Sequence, residues 1–239
     1  MRSQRTLARA AGLAVAAAGA QWAPAAALYA TPLRRLLGIA SSIARVDAVA
    51  LTFDDGPDPE ATPAVLSELE RLGAPATFFL VGEAVERNPS LAREIVAAGH
   101  EVGVHCHRHR SPLRLTPREA SEDLRRASAA IRAATGAELR YYRPAYGLVT
   151  AAALATARSL GLQTVLWTRP GYDWEPTGTA ESIAARVAGE LHGRDVILLH
   201  DGRHPTAERW RRTRDAIPLV AEAAAARDLS LAQLDDPIP

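Results

Sequence analysis

Residues 46–57 read Val46-Asp47-Ala48-Val49-Ala50-Leu51-Thr52-Phe53-Asp54-Asp55-Gly56-Pro57. Val46–Phe53 is an aliphatic run of strand length, and the Asp-Asp-Gly-Pro that ends it is made of turn residues. A helix-like segment follows over Thr62–Leu72, with Val65, Leu66, Leu69 and Leu72 at helical spacing and Gly73 placed to stop it. The unit then repeats. Strand-like runs recur at Ala76–Val81, His100–Val104, Leu139–Arg143, Gln163–Thr168, Asp195–His200 and Leu229–Leu234. Helical patterns lie between them at Pro89–Ala98, Thr116–Thr135, Thr150–Leu160, Thr179–His192 and Thr206–Ala226. Thr116-Pro117-Arg118-Glu119 has the form of a capping box, and Gly99, Gly136 and Gly161 stand where helices should end. Strand–helix alternation predicts an α/β fold, a distorted (β/α) barrel of about seven parallel strands in one domain.

Composition narrows the chemistry. In 239 residues the net charge is +1, which argues for no nucleic-acid partner. All 28 basic residues are Arg, so Schiff-base and Walker lysines are excluded. A single cysteine, Cys106, excludes an internal disulfide and any multi-thiolate zinc site. No Gly-x-Ser-x-Gly occurs. What remains is chemistry built from Asp, Glu, His and Arg.

Those residues gather at strand ends, where parallel folds carry their active groups. Asp54 and Asp55 close the first strand, His105 to His109 the third, and Arg143 the fourth. Asp173 follows the fifth, and His200 and Asp201 close the sixth. Four of the 7 histidines lie in residues 100–109. His105 and His109 are four apart, and with a carboxylate they make a divalent-metal set with positions open to water and substrate. His107 is out of phase with that pair and reads as a bystander, His100 as part of the strand or its support, and Cys106 as pointing elsewhere. Adjacent residues on an extended backbone point apart, so one of Asp54 and Asp55 can bind metal while the other faces the attacking water. Read singly, Arg143 is a surface strand end, Asp173-Trp174 a loop carboxylate with a core aromatic, and His204 a loop residue.

Taken in order, Thr52-Phe53-Asp54-Asp55-Gly56-Pro57, His105-x-x-x-His109, Arg143-Pro144-x-Tyr146-Gly147, Asp173-Trp174 and Leu198-Leu199-His200-Asp201 resemble the polysaccharide deacetylases with a NodB-type domain, carbohydrate esterase family four. The resemblance implies a barrel of seven or so strands that removes acetyl groups from N-acetylglucosamine polymers or acetylated xylan. It implies one divalent metal, usually zinc and sometimes cobalt or another ion, held by Asp55, His105 and His109. Asp54 would be the general base and His200 the general acid, with Arg143 and Asp173 orienting and tuning them. The Tyr146 backbone N–H would help hold the oxyanion, and Trp174 and Leu198 would wall the acetyl pocket. Departures from the pattern are Cys106 where Ser or Thr is frequent, Ala145 where many members have proline, and no acidic residue in Thr168–Tyr172.

The N-terminus carries Arg2, Arg5 and Arg9, then no charge from Ala10 to Leu33. This reads as a secretory signal, with a small-x-small site at Ala18-Gly19-Ala20, as an uncleaved membrane anchor, or as an Ala-rich helix packed on the domain or a frayed tail. The boundary is accordingly expected at residue 45, with the catalytic domain over 46–239 and the protein exported to the cell envelope. The function expected is metal-dependent deacetylation of an N-acetylated glycan. The alternatives are O-deacetylation of a xylan-type polymer, glycan binding without catalysis, or a cytosolic amidohydrolase if residues 1–45 are folded structure.

Overall fold

A computed structural model describes residues 19–202 and 209–239 of the chain. Arg2, Arg5, Arg9, the start of the uncharged run and His204 lie outside the described residues. Ten strands occur among those described: β1 Ser42–Ile43, β2 Ala48–Asp54, β3 Thr77–Val81, β4 Glu101–Cys106, β5 Tyr141–Tyr142, β6 Gln163–Thr164, β7 Arg169–Pro170, β8 Val196–His200, β9 Ser230–Ala232 and β10 Pro237–Ile238. Seven of them form one parallel sheet in the order β6-β5-β4-β3-β2-β8-β7, and β9 adds to the beginning of β2. β1 and β10 pair antiparallel as a separate ribbon.

The sheet has to curl. Its edge strands β6 and β7 are joined by only the residues between Thr164 and Arg169. That stretch reaches about 17 Å at most, whereas the edges of a flat seven-strand sheet would stand about 29 Å apart. The strand expected over Gln163–Thr168 is therefore divided. Its start pairs with β5, its end passes to β8, and Thr168 N–H donates to the Val196 carbonyl (3.0 Å) on the way. The result is the distorted barrel expected from the strand–helix rhythm.

Strand alternation sorts the side chains. Val49, Leu51 and Phe53 of β2, Phe78 and Leu80 of β3, Val102 and Val104 of β4, and Ile197 and Leu199 of β8 face outward into the main core under the helices. The helices there are α2 Ala61–Leu72, α3 Gly82–Arg87, α4 Pro89–Ala97, α5 Pro117–Thr135, α6 Ala151–Ser159, α7 Ala180–Ala188 and α8 Arg209–Ala225, preceded in the chain by α1 Thr31–Leu36. The alternate residues Ala48, Ala50, Phe79, Tyr141 and Val196 face inward and make a second, narrower core. The expected signals hold: Thr116 caps α5 through a capping box with Glu119, and Gly73 and Gly136 end α2 and α5 in the left-handed conformation.

Packing extends upstream of residue 46. Ile39, Ala40 and Ile43 are fully buried. Ala40 bridges to Val165 and Ser42 to Asp195, so this segment fills the seam between the two sheet edges. The uncharged stretch is broken by Pro24 and Pro32 into a 3-10 helix, Ala23–Leu28, and α1. Among the described residues no helix is long and apolar enough to cross a membrane.

If the seam segment is integral, Ile43→Ala should lower the unfolding free energy by about 2–5 kcal/mol in a urea titration of the full chain. A change below about 0.5 kcal/mol would show instead that the segment is a loose appendage.

Candidate metal centre and its flanking dyads

The inward parity that places Ala48 and Ala50 in the narrow core continues up each strand to the carboxyl-end rim. It brings Thr52 and Asp54 of β2, His105 of β4, Leu198 and His200 of β8, and Arg143 just beyond β5 to one mouth. Asp55 departs from the parity. An extended backbone would turn its side chain outward, but its φ of +78° folds the chain over the rim. Asp is among the few residues that enter this region at modest cost. Close packing enforces the turn: a Cβ at Gly202 would stand 2.3 Å from the Asp55 Cβ, and one at Gly56 would stand 2.3 Å from the Asp201 carboxylate.

The turn puts Asp55 Oδ1 3.3 Å from His105 Nε2 and 3.2 Å from His109 Nε2. The two imidazole rings lie 5.3 Å apart and nearly parallel, at 21°. Two ligands about 2.1 Å from one ion at the tetrahedral angle stand about 3.4 Å apart, so both contacts have the separation a shared metal demands. Asp55 Oδ1 is buried and has no hydrogen-bond donor among the described residues. Burial opposes its charge, yet the His105 contact and the charges of His200, His105 and His109 hold the carboxyl well below the usual range. Burial lowers the His109 pKa despite Asp55, which favours the neutral, ligating imidazole. These three side chains can hold a metal ion.

Two ion pairs flank the trio. Arg143 is fully buried, and its Nη1 donates to Asp54 Oδ1 (2.8 Å) and Thr52 Oγ1 (2.7 Å). Its guanidinium lies 4.1 Å from the Phe79 ring centroid and within reach of Trp167. It is no surface strand end. On the other side, His200 Nδ1 meets Asp173 Oδ1 at 2.8 Å, while the His200 N–H and the Thr213 hydroxyl both donate to Asp173 Oδ2 at 2.8 Å. Burial opposes the His200 charge, but Asp173 and, behind it, Asp55 and Asp54 raise its pKa to about 9. Burial likewise opposes the Asp173 charge, and His200 overrides it and lowers the carboxyl pKa.

The remaining expected residues fall around this centre. Tyr146 has φ +59° within the turn Ala145–Gly147, and its ring lies 4.7 Å from His109. Trp174 meets His200 edge-on at 5.3 Å, and Leu198 is buried on the inward side of β8. His107 is turned away: its N–H donates to Asp123 and its ring packs on Gly82. Cys106 sits in an apolar cluster with Val81, Ala84 and Ala145, where burial pushes its thiol well up. His100 lies at the opposite end of β4, accepting the Ala76 N–H at Nδ1, and supports nothing at the mouth.

Sequence reasoning missed Thr52, Phe79, Trp167, Thr213 and Arg209. Thr52 stands in the quoted motif, two residues before Asp54 and so on the same strand face, a signal that was available. Thr213 and Arg209, which donates to the Trp174 carbonyl, come from α8 and carry no local signal. Arg209 and Arg212 tether the 174–178 loop by hydrogen bonds to the Trp174 and Gly178 carbonyls.

With five strand ends meeting around two imidazoles and a carboxylate, the comparison with known proteins is decisive. The sequence pattern of the family described as Polysaccharide deacetylase matches residues 43–165. The chain belongs to this family. The chitooligosaccharide deacetylase of Bradyrhizobium sp. (strain ANU 289) is 41% identical over 163 residues, 68% of this chain and 74% of that protein. Among solved structures, the Bc1960 peptidoglycan N-acetylglucosamine deacetylase is similar with a TM-score of 0.75 at 27% identity, over 82% of this chain and 89% of that one. A family 4 acetyl xylan esterase from Clostridium thermocellum, in complex with a cobalt ion, gives 0.70 at 28% identity, over 78% and 88%. The polysaccharide deacetylases thus supply the frame for the site.

In the metal-free protein, the His200 ring should titrate near pH 9 by NMR, and Asp173→Asn should move it down toward 6.5. Because the folded pKa is raised, the stability this pair contributes is fully present below pH 6.5 and is lost as pH rises through 9. A ring that titrates near 6.5 in both proteins would contradict the dyad.

Proposed function

We propose that this polysaccharide deacetylase is an exported, divalent-metal-dependent hydrolase that removes acetyl groups from an N-acetylated glycan of the chitin or peptidoglycan type. The observation that carries the reading is the placement of three different devices at one mouth: a His-His-Asp trio, a carboxylate locked by a buried arginine, and an imidazole locked by a buried carboxylate. A glycan-binding protein needs the first no more than the other two. Names of relatives that act on chitooligosaccharide and on peptidoglycan N-acetylglucosamine agree with the substrate class.

Asp55, His105 and His109 would hold the metal. When bound, a divalent ion in such a site acts as a Lewis acid toward the acyl oxygen and lowers the pKa of nearby water, to about 7 in favourable zinc sites. Zinc suits two imidazoles and a carboxylate, and cobalt shares that donor preference.

The residues of the chain account for the proton movements. Arg143 fixes the Asp54 carboxylate by a 2.8 Å hydrogen bond, aimed to take a proton from the water that attacks the acetyl carbon. Charge then develops on the acyl oxygen, beside the Tyr146 turn, whose backbone N–H is suited to stabilise it. The C–N bond breaks as the imidazolium of His200 protonates the departing nitrogen, leaving a free amine on the sugar and acetate as products. Asp173 holds the His200 ring by Nδ1, so the transferred proton is the one on Nε2. Trp174 and Leu198 bound the space for the acetyl methyl. The basic start, the uncharged run and the Ala18-Gly19-Ala20 site support export, which brings the enzyme to a cell-envelope polymer.

The test is acetate release from chitooligosaccharides, peptidoglycan fragments and acetylated xylan, with zinc, cobalt or chelator. Chelator should abolish release and either metal should restore it. Asp54→Asn should bind metal yet lose about 10²–10⁴ of the rate, whereas His105→Ala should lose the metal itself. Unchanged metal stoichiometry in His105→Ala would refute the ligand set. Release from xylan alone would replace the amide substrate with an ester.

A further inference from the structure

We propose that Gln21–Ile43 is a retained strut of the catalytic unit, and that Leu28 is a positioning residue holding the Arg143–Val149 loop in its working geometry. Its catalytic part rests on the reading of Tyr146 given above. The segment's residues up to Ser42 lie upstream of the stretch that matches the family pattern, 43–165.

The contact is tight at the point that matters. Gly147, adjacent to Tyr146, has φ +68°, and a Cβ there would stand 2.8 Å from Leu28 Cδ1 and 2.8 Å from Trp167 Cη2. The turn is therefore clamped between Leu28 and Trp167. Trp167 in turn lies against the Arg143 guanidinium, 5.8 Å from its ring centroid, so Leu28 backs the arginine that fixes Asp54.

The strut is fastened along its length. Ala27 and Ile39 are fully buried with Val149, Leu154 and Leu166, and Leu28, Leu33 and Leu37 pack on the same cluster. Gln21 Oε1 accepts the Ala152 N–H (3.1 Å) at the start of α6. Arg158 donates to the Leu37 carbonyl at 2.6 Å. Ala40 exchanges backbone hydrogen bonds with Thr164 and Leu166. Gly19 and Ala20 are exposed, and Gln21 is the first buried residue of the described chain. Processing after Ala18-Gly19-Ala20 would thus remove what precedes the strut and spare the strut itself.

Full-length Leu28→Ala should raise amide hydrogen exchange across residues 144–149 about tenfold while leaving 101–106 unchanged. It should lower kcat about tenfold, with KM and zinc affinity within about twofold, because a displacement of 1 Å at the oxyanion site suffices for such a loss. Leu28→Met should restore both readouts. Leu28→Val gives the graded version should the alanine variant melt, and Tm is followed for all three. Unchanged exchange at 144–149 in the folded variants would overturn the strut whatever the activity. Raised exchange with kcat within about twofold would overturn the positioning role. An active Asp54→Asn enzyme, by contrast, would sink the proposed chemistry and leave the exchange result standing.

Discussion

The fully buried Arg143 guanidinium is the interaction on which the site is built. A charge inside a narrow apolar barrel is tolerated only when paired, and Asp54 at 2.8 Å provides the pair. Thr52, the face of Phe79 and Trp167 complete its surroundings, so one side chain ties β2, β3, the end of β5 and the segment that crosses from β6 to β7. Removing one partner of such a pair costs about 3–5 kcal/mol, mostly as the penalty on the charge left behind. The pair adds little net stability over an apolar replacement. It fixes instead where the Asp54 oxygens stand, which the proposed base must have settled before substrate arrives.

The same economy of charge runs through the whole mouth. Four buried or half-buried carboxylates lie close together, and each answers the cost of burial differently. Asp54 has Arg143, Asp173 has His200, and Asp55 has the two imidazoles that frame the candidate metal position. Among the described residues Asp201 has no cation at hydrogen-bond distance: burial pushes its pKa up to about 7, and a hydrogen bond from Thr62 (2.6 Å) satisfies one oxygen. Its carboxylate packs beneath the Gly56 turn, where a Cβ would stand 2.3 Å from it. The division gives each carboxylate a different partner.

The narrow seam of the barrel shows how a short connection governs shape. A four-residue passage between the two sheet edges forces the curl, and the curl leaves a gap that Ala40–Ile43 fills. The N-terminal segment is therefore part of the same solution that closes the barrel, and its contact with the Tyr146 turn follows from lying in that seam.

The strand–helix rhythm, the capping box at Thr116 and the glycine stops were legible in the linear chain because they are local: periodicity, cap chemistry and positive φ act within a few residues. The residue types of the site were legible for a related reason, since strand ends in a parallel fold point to one rim. The direction of Asp55 was not. Alternation alone sends it away from Asp54, and only the left-handed turn, enforced by Gly202 and Asp201 from a strand some 150 residues later in the chain, brings it to His105 and His109. The burial of Arg143, which reads as a surface strand end, depends equally on Phe79 arriving from β3 and Trp167 from the passage between β6 and β7. So does the membership of Gln21–Ile43, whose apolar composition fits a leader as well as a buried strut. Composition and spacing state which chemical groups are present, but burial and pairing are properties of distant segments meeting, and those are fixed only when the chain has folded.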